Sequence, residues 1–200
     1  MGLPFINRDC PMKSGTIIII NGTSSSGKTS IVHALQNLLP EPALEAGLDK
    51  FLWMLPERYL ERPLWDEVLG LASTSGETGH RLVSAIHHTI AGLSKAGWNV
   101  IADHVLVEPA WVKECVGIFS EMPAYLIGVQ CPLDVLEERE HSRKNRTLGQ
   151  ARLQFPLIHK DKVYDLEVDT FIFNPEECAS QILARLDEPP LAFLQMRQML

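Results

Sequence analysis

The sequence has no apolar run of membrane length. Its longest β-branched stretch, Thr16 to Ile20, is strand-sized, far short of the roughly 20 residues that cross a bilayer. The opening residues, MGLPFINRDCPMKSG, hold no apolar block long enough for a secretory signal. There is no CxxC pair. Cys10, Cys115, Cys131 and Cys178 stand far apart, which fits reduced thiols in a cytoplasmic protein and offers no zinc site. Basic charge is scarce as well. With 18 Lys and Arg against 25 Asp and Glu the net charge is -7 and the pI about 5.5, which argues against a general nucleic-acid binder while allowing a local basic patch around phosphates. Internal repeats and low-complexity linkers are missing too. The 200 residues are 46% hydrophobic and 22% charged, a balance that excludes disordered, collagen-like and coiled-coil chains and suits one full domain.

Strand-like and helix-like segments alternate, which predicts an α/β fold with a parallel sheet flanked by helices. Residues 16–21 (TIIIIN) read as a central strand buried on both faces. Residues 28–39 read as a helix stopped by Pro40 and Pro42. A short strand is expected near 43–47, a helix over 81–95, strands over 98–102 and 124–129, helices over 109–119 and 133–144, and a last strand over 169–173. Asn174, Pro175, Glu176 and Glu177 form a helix start with cap, N1 proline and acidic first turn. The expected organisation is an irregular extension over 1–14, one domain over 15–187 with a lid around 139–150, and an apolar tail over 188–200.

The decisive motif spans Gly22, Thr23, Ser24, Ser25, Ser26, Gly27, Lys28 and Thr29, with Ser30 behind it. It fits GxxxxGK[ST], and with average glycine usage a chance match in such a chain has odds of roughly 1%. It follows a buried strand and opens a helix, as a phosphate-binding loop must. Its N–H groups and the helix N-terminus would face a phosphate, Lys28 would reach the β- and γ-phosphates, and the Thr29 hydroxyl would hold Mg²⁺. No NKxD guanine motif is present, and the chain is too short for a motor or AAA-type ATPase. The small-kinase class remains, with ATP and Mg²⁺ as cofactors. It needs a carboxylate near the acceptor, an acid on the metal shell and arginines over the transferring group.

Asp49 lies 21 positions after Lys28, just beyond the expected second strand. A carboxylate there could take or orient an attacking hydroxyl; it could equally cap a helix starting at Phe51. Asp103 ends the strand WNVIAD, the position at which an acid holds Mg²⁺ or its water; a plain strand-end cap is the alternative. His104 beside it reads as structural, and His87 and His88 point apart on one helix. Arg139, Arg143 and Arg146 share a helical face suited to bridging phosphates, although Glu137, Glu138 and Glu140 among them also fit a solvated surface. Phe51, Trp53, Met54, Leu55 and Trp65 could line an apolar acceptor pocket or belong to the core.

These residues resemble the chloramphenicol 3-O-phosphotransferase family of small P-loop kinases over about Thr16 to Leu186. The similarity is carried by IIIINGTSSSGKTSIVHALQNLLPEP, GLDKF, VIADHV, GVQCPLDVLEEREHSRKNRTLGQA and VYDLEVDT. It implies a parallel α/β P-loop kinase fold that phosphorylates a chloramphenicol hydroxyl with ATP. It also implies that Asp49 is the catalytic aspartate and that Arg139, Arg143 and Arg146 belong to the lid. The stretch from Lys50 to Gly79, where acceptor contacts belong, resembles the family poorly. The expected partner is therefore a small-molecule hydroxyl acceptor, with chloramphenicol first and a nucleoside, sugar, other antibiotic or protein behind it. Neither nucleic acid nor membrane is expected as a partner. A nucleotide-binding switch without transfer is the rival outside enzymology, and it would need neither Asp49 nor the arginine face.

Overall fold

The structure, a computed structural model, describes residues 13–59, 76–142 and 148–199. Its sheet has five parallel strands in the order β2-β3-β1-β4-β5. These are β1 (Ile17–Asn21), β2 (Ala43–Glu45), β3 (Asn99–His104), β4 (Ala124–Gln130) and β5 (Leu166–Asp169). The central strand is the isoleucine run, and all four isoleucines are buried. Ile17 and Ile19 face one layer, and Ile18 and Ile20 the other. A strand covered on both faces must be apolar at every position.

One layer is built by α3 (Glu77–Lys95) and α4 (Pro109–Phe119), joined by α2 (Leu48–Leu52) and α8 (Ala192–Met199). The opposite layer is α1 (Lys28–Leu38) and α7 (Pro175–Arg185). Between β4 and β5 the chain forms α5 (Leu133–Ser142) and α6 (Gln150–Ile158). The start of α7 follows the sequence expectation: Asn174 accepts from Glu177 N–H, and Glu177 accepts from Asn174 N–H, both at 2.9 Å. Among the described residues, no helix is long and apolar enough to cross a membrane.

Two local expectations are corrected. The last strand covers Leu166–Asp169 instead of 169–173. Asp169 Oδ1 accepts from Phe171 N–H at 2.8 Å and Asp169 O from Phe173 N–H at 2.9 Å, so the chain turns where the strand was expected to begin. The apolar segment after Pro190 is a helix on the core, with Phe193 and Met196 buried. Asp165 seats it. Its fully buried carboxylate accepts from Leu126, Leu191 and Ala192 N–H and from the Arg185 guanidinium.

A polar chain crosses the apolar layer between β3, α3 and α4. Val105 N–H donates to His104 Nδ1 at 2.8 Å, so the neutral ring carries its proton on Nε2. That proton faces His87 Nε2 at 3.0 Å, and the His87 proton then lies on Nδ1, donating to Glu114 Oε2 at 2.6 Å. Burial pushes both imidazoles below their usual value, His104 further than His87. Burial would raise the Glu114 carboxyl, but hydrogen bonds from Ser84 and His87 outweigh it and hold it low. His88, the next residue, is exposed, so the two neighbours do point apart.

Two outcomes are expected. Phe193→Ala should destabilise the whole domain by about 3–5 kcal/mol, read as one cooperative urea transition at a lower midpoint; an unchanged midpoint would make α8 an appendage. The depressed histidines bind fewer protons folded than unfolded, so stability should fall as pH drops through the ordinary histidine range near 6.5. Urea midpoints at pH 7.5 and 5.5, above the range where Glu114 titrates, test the sign. His87→Phe should shrink the difference.

Candidate active site

The register of the sheet sets the site. Asn21, His104 and Gly128 are paired across β1, β3 and β4, so the segments leaving β1 and β3 emerge side by side at the carboxyl edge, where α/β proteins bind ligands. From β1 the chain enters Gly22. A Cβ there would come within 2.7 Å of Ser26 Oγ and 3.1 Å of Val129 O, so the loop packs too closely for any side chain. Ser25 (φ 63°) and Gly27 (φ 89°) both turn left-handed, curling the loop onto the N-terminus of α1. The Ser24, Ser25 and Ser26 hydroxyls are buried without a hydrogen-bond partner among the described residues. A stranded buried hydroxyl costs about 1–3 kcal/mol. Three in a row mark a cradle completed by a ligand rich in acceptor oxygens.

Lys28 is buried and its Nζ donates to Gly22 O at 2.9 Å and Thr23 O at 2.6 Å. Behind it, Thr29 Oγ1 donates to Asp103 Oδ2 at 3.1 Å. The two groups that the sequence assigned to Mg²⁺ are therefore in direct contact, and a hydroxyl with a carboxylate is a hard-oxygen pair of the kind that ion uses. Burial pushes the Asp103 carboxyl up. The Lys28 ammonium and the Thr29 bond pull it down, Asp49 and Glu45 push it up, and the net shift is upward. Room for this carboxylate comes from Gly47, where a Cβ would fall 1.7 Å from Asp103 Oδ1.

Gly47 is also the N-cap of α2, so Asp49 sits in the first helical turn and does not cap a helix beginning at Phe51. That removes the N-cap reading; an acid in the first turn still complements the helix N-terminus. It is half-buried and close enough to act on the Asp103 carboxyl. Of the apolar residues near it, Phe51 and Leu55 pack on the core. Trp53 and Met54 are exposed at 68% and 77%, and Trp65 lies outside the described residues.

On the other flank, Arg139 donates to Thr170 Oγ1 at 3.1 Å and Thr170 O at 2.9 Å. Thr170 Oγ1 donates onward to Ser26 O at 2.9 Å, so this guanidinium is tied to the phosphate loop through one threonine. Beside them opens a cleft of about 450 Å³ lined by Ser25, Gly27, Ser30, Arg139, Thr170 and Phe173, within the usual ligand-site range. Arg143 and Arg146 lie outside the described residues. The solvated-face reading of α5 fails for Glu140, which is buried and accepts from Gly149 and Ala151 N–H at 2.7 and 3.1 Å. It caps α6, whose own N-cap, Gly149, has no side chain to do so. Sequence reasoning missed Gly47 and Glu140; the GLDKF segment held a signal for the first, and an acid followed by glycine across a short gap held one for the second.

The profile of chloramphenicol phosphotransferase-like proteins matches residues 15–187. The chain belongs to this family. A Mycobacterium tuberculosis relative, named provisionally as an O-phosphotransferase in two strains, is 31% identical over 202 aligned residues, covering 94% of this chain and 90% of the relative. Solved structures agree on the fold. A sugar kinase from Janibacter sp. HTCC2649 superimposes with a TM-score of 0.66 at 17% identity, over 86% of this chain and 95% of the kinase. The Mycobacterium tuberculosis APS kinase, solved with AMPPNP and APS, gives 0.65 at 15% identity, over 88% and 99%. The family member described here is an enzyme of the P-loop kinase class.

Gly47→Ala tests the packing at Asp103. The backbone there has φ -73°, so alanine is conformationally tolerated and only the contact changes. Displacing Asp103 from Thr29 should weaken binding of ADP in the presence of Mg²⁺ by about tenfold, or 1.4 kcal/mol, with an unchanged circular dichroism spectrum. Titration calorimetry giving wild-type affinity would show that the position of Asp103 does not matter.

Proposed function

We propose that this enzyme moves the γ-phosphoryl group of ATP to a hydroxyl of a small molecule, with a chloramphenicol-like acceptor as the first candidate. The observation carrying the reading is the convergence at one sheet edge of Lys28, the Thr29–Asp103 pair and Asp49. A nucleotide switch has no use for the last of these.

The phosphate chain lies over residues 22–29, where the open N–H groups of the loop and the three serine hydroxyls meet its oxygens. Lys28 exchanges its loop carbonyls for phosphoryl oxygens. Thr29 and Asp103 would hold Mg²⁺, which would supply neutralisation of phosphate charge. The cleft beside Arg139 takes the nucleoside end, and Arg139, Arg143 and Arg146 add positive charge over the phosphates. Asp49 accepts the proton of the acceptor hydroxyl as its oxygen forms a bond to the γ-phosphorus. The bond from that phosphorus to the β–γ bridging oxygen breaks, and ADP leaves with that oxygen. Among the described residues of this segment, Trp53 and Met54 are the exposed apolar side chains and are offered to the acceptor. The described cysteines are unpaired thiols, in keeping with a cytoplasmic enzyme that would inactivate an entering antibiotic. Neither nucleic acid nor a membrane is part of this proposal.

Mass spectrometry of chloramphenicol incubated with the protein, ATP and Mg²⁺ tests it. The drug should gain one phosphoryl group. Asp49→Ala should reduce the rate by about 10²–10⁴-fold, the span of general-base catalysis, with ATP binding retained. Lys28→Ala should abolish transfer. Product formed at the wild-type rate by Asp49→Ala would overturn the role of Asp49; no product despite bound ATP would overturn the acceptor.

A further inference from the structure

The helix α6 reaches the phosphate loop with one side chain. Gln154 Oε1 accepts from Ser24 N–H at 2.6 Å. Among the described residues it is the one side chain that accepts from a backbone N–H of the loop. The orientation of its amide is fixed by chemistry, because an N–H needs an acceptor and only the carbonyl arm of glutamine is one. The Nε2 arm, with two donors, has no partner among the described residues.

Gln154 is held firmly. The N-terminus of α6 is capped by buried Glu140. At its C-terminus, Ile158 O accepts from Asn21 Nδ2 at 3.0 Å and from Tyr164 OH at 3.3 Å. Asn21 is the last residue of β1 and precedes Gly22, so the same residue anchors the loop and the helix that touches it. Ala151 and Ile158 are fully buried. The glutamine therefore approaches the loop from a fixed base.

Its place along the loop gives its role. Ser25, Gly27 and Ser30 line the cleft beside Arg139, whereas Ser24 and Gln154 do not. With the nucleoside end of ATP in that cleft, Ser24 lies toward the far end of the phosphate chain, where the terminal phosphoryl group belongs. We infer that Gln154 is a contact for the terminal phosphoryl group, its Oε1 staying on Ser24 N–H while its Nε2 donates to a phosphoryl oxygen. This rests on the kinase reading above and extends the donor row of the loop with a residue some 130 positions away in the chain. It gives the enzyme a group that distinguishes the triphosphate from its diphosphate product.

Gln154→Glu is the sharpest test, because it keeps an acceptor for Ser24 N–H and replaces the donor by a second carboxylate oxygen. Calorimetric titration with ADP and with AMPPNP, both with Mg²⁺, reads the effect. Glutamate should weaken AMPPNP by about tenfold or more through charge repulsion and ADP by less than about threefold, since ADP lacks the repelled group. Gln154→Leu, uncharged and close in size, should lose part of any wild-type preference for AMPPNP while retaining ADP affinity, and it serves if glutamate unfolds the protein. Equal losses for both nucleotides, or none for either, would overturn the assignment. A wild-type protein that binds neither nucleotide would instead overturn the kinase reading, a distinct result.

Discussion

Everything at the site depends on parallel pairing of β1 between β3 and β4. A one-residue slip of β1 would turn its side chains to the opposite faces and would break the Gly22 N–H bond to His104 O. Because Ile17 to Ile20 are buried on both sides, such a slip keeps apolar residues inside and costs little in burial. Polar groups at the strand ends do the discriminating. Asn21 accepts from Leu106 N–H with Oδ1 and donates to Ile158 O and Tyr164 OH with Nδ2, and these bonds form in one register only. The fold's most hydrophobic strand is thus aligned by its single polar residue.

The loop that follows carries an opposite arrangement. Where Asn21 is fully satisfied, Ser24, Ser25 and Ser26 are buried and stranded, and Ser25 adopts a backbone conformation that L residues seldom take. Such strain persists only where the surroundings enforce it, and here strand β1 on one side and helix α1 on the other do so. The loop therefore meets its ligand already shaped, with little ordering left to offset on binding.

Much of this was legible in the residues. The loop, the central strand, the capping box of α7, and Asp103 at a strand end are local features, each decided within a few residues by propensity and chemistry. Asp49 was ambiguous because a carboxylate beside the acceptor and an N-cap acid look alike until the helix start is known; Gly47 fixes that start and takes away the N-cap. The missed features are contacts between distant segments. Glu140 looked like part of a charged surface because Glu137, Glu138 and Glu140 alternate with the arginines of this segment. Helix α6 was hidden by Pro156, and with it Gln154. The apolar ending resembled a tail because the carboxylate seating it, Asp165, is 26 positions upstream of Leu191. No residue-level pattern encodes a partner at that range.

The relay from Val105 through His104 and His87 to Glu114 has a consequence for how the sequence can drift. Each proton in it is assigned by the preceding link, so the chain has a direction. Replacing His87 alone strands the His104 Nε2 proton inside the apolar layer, a loss of about 1–3 kcal/mol, whereas replacing His104 alone leaves His87 Nε2 at 3.4 Å from Cys115 Sγ. Replacing both with apolar side chains strands neither ring but takes the acceptor from Val105 N–H. The two positions are 17 residues apart and on different elements, yet what a change costs at one depends on which residue stands at the other.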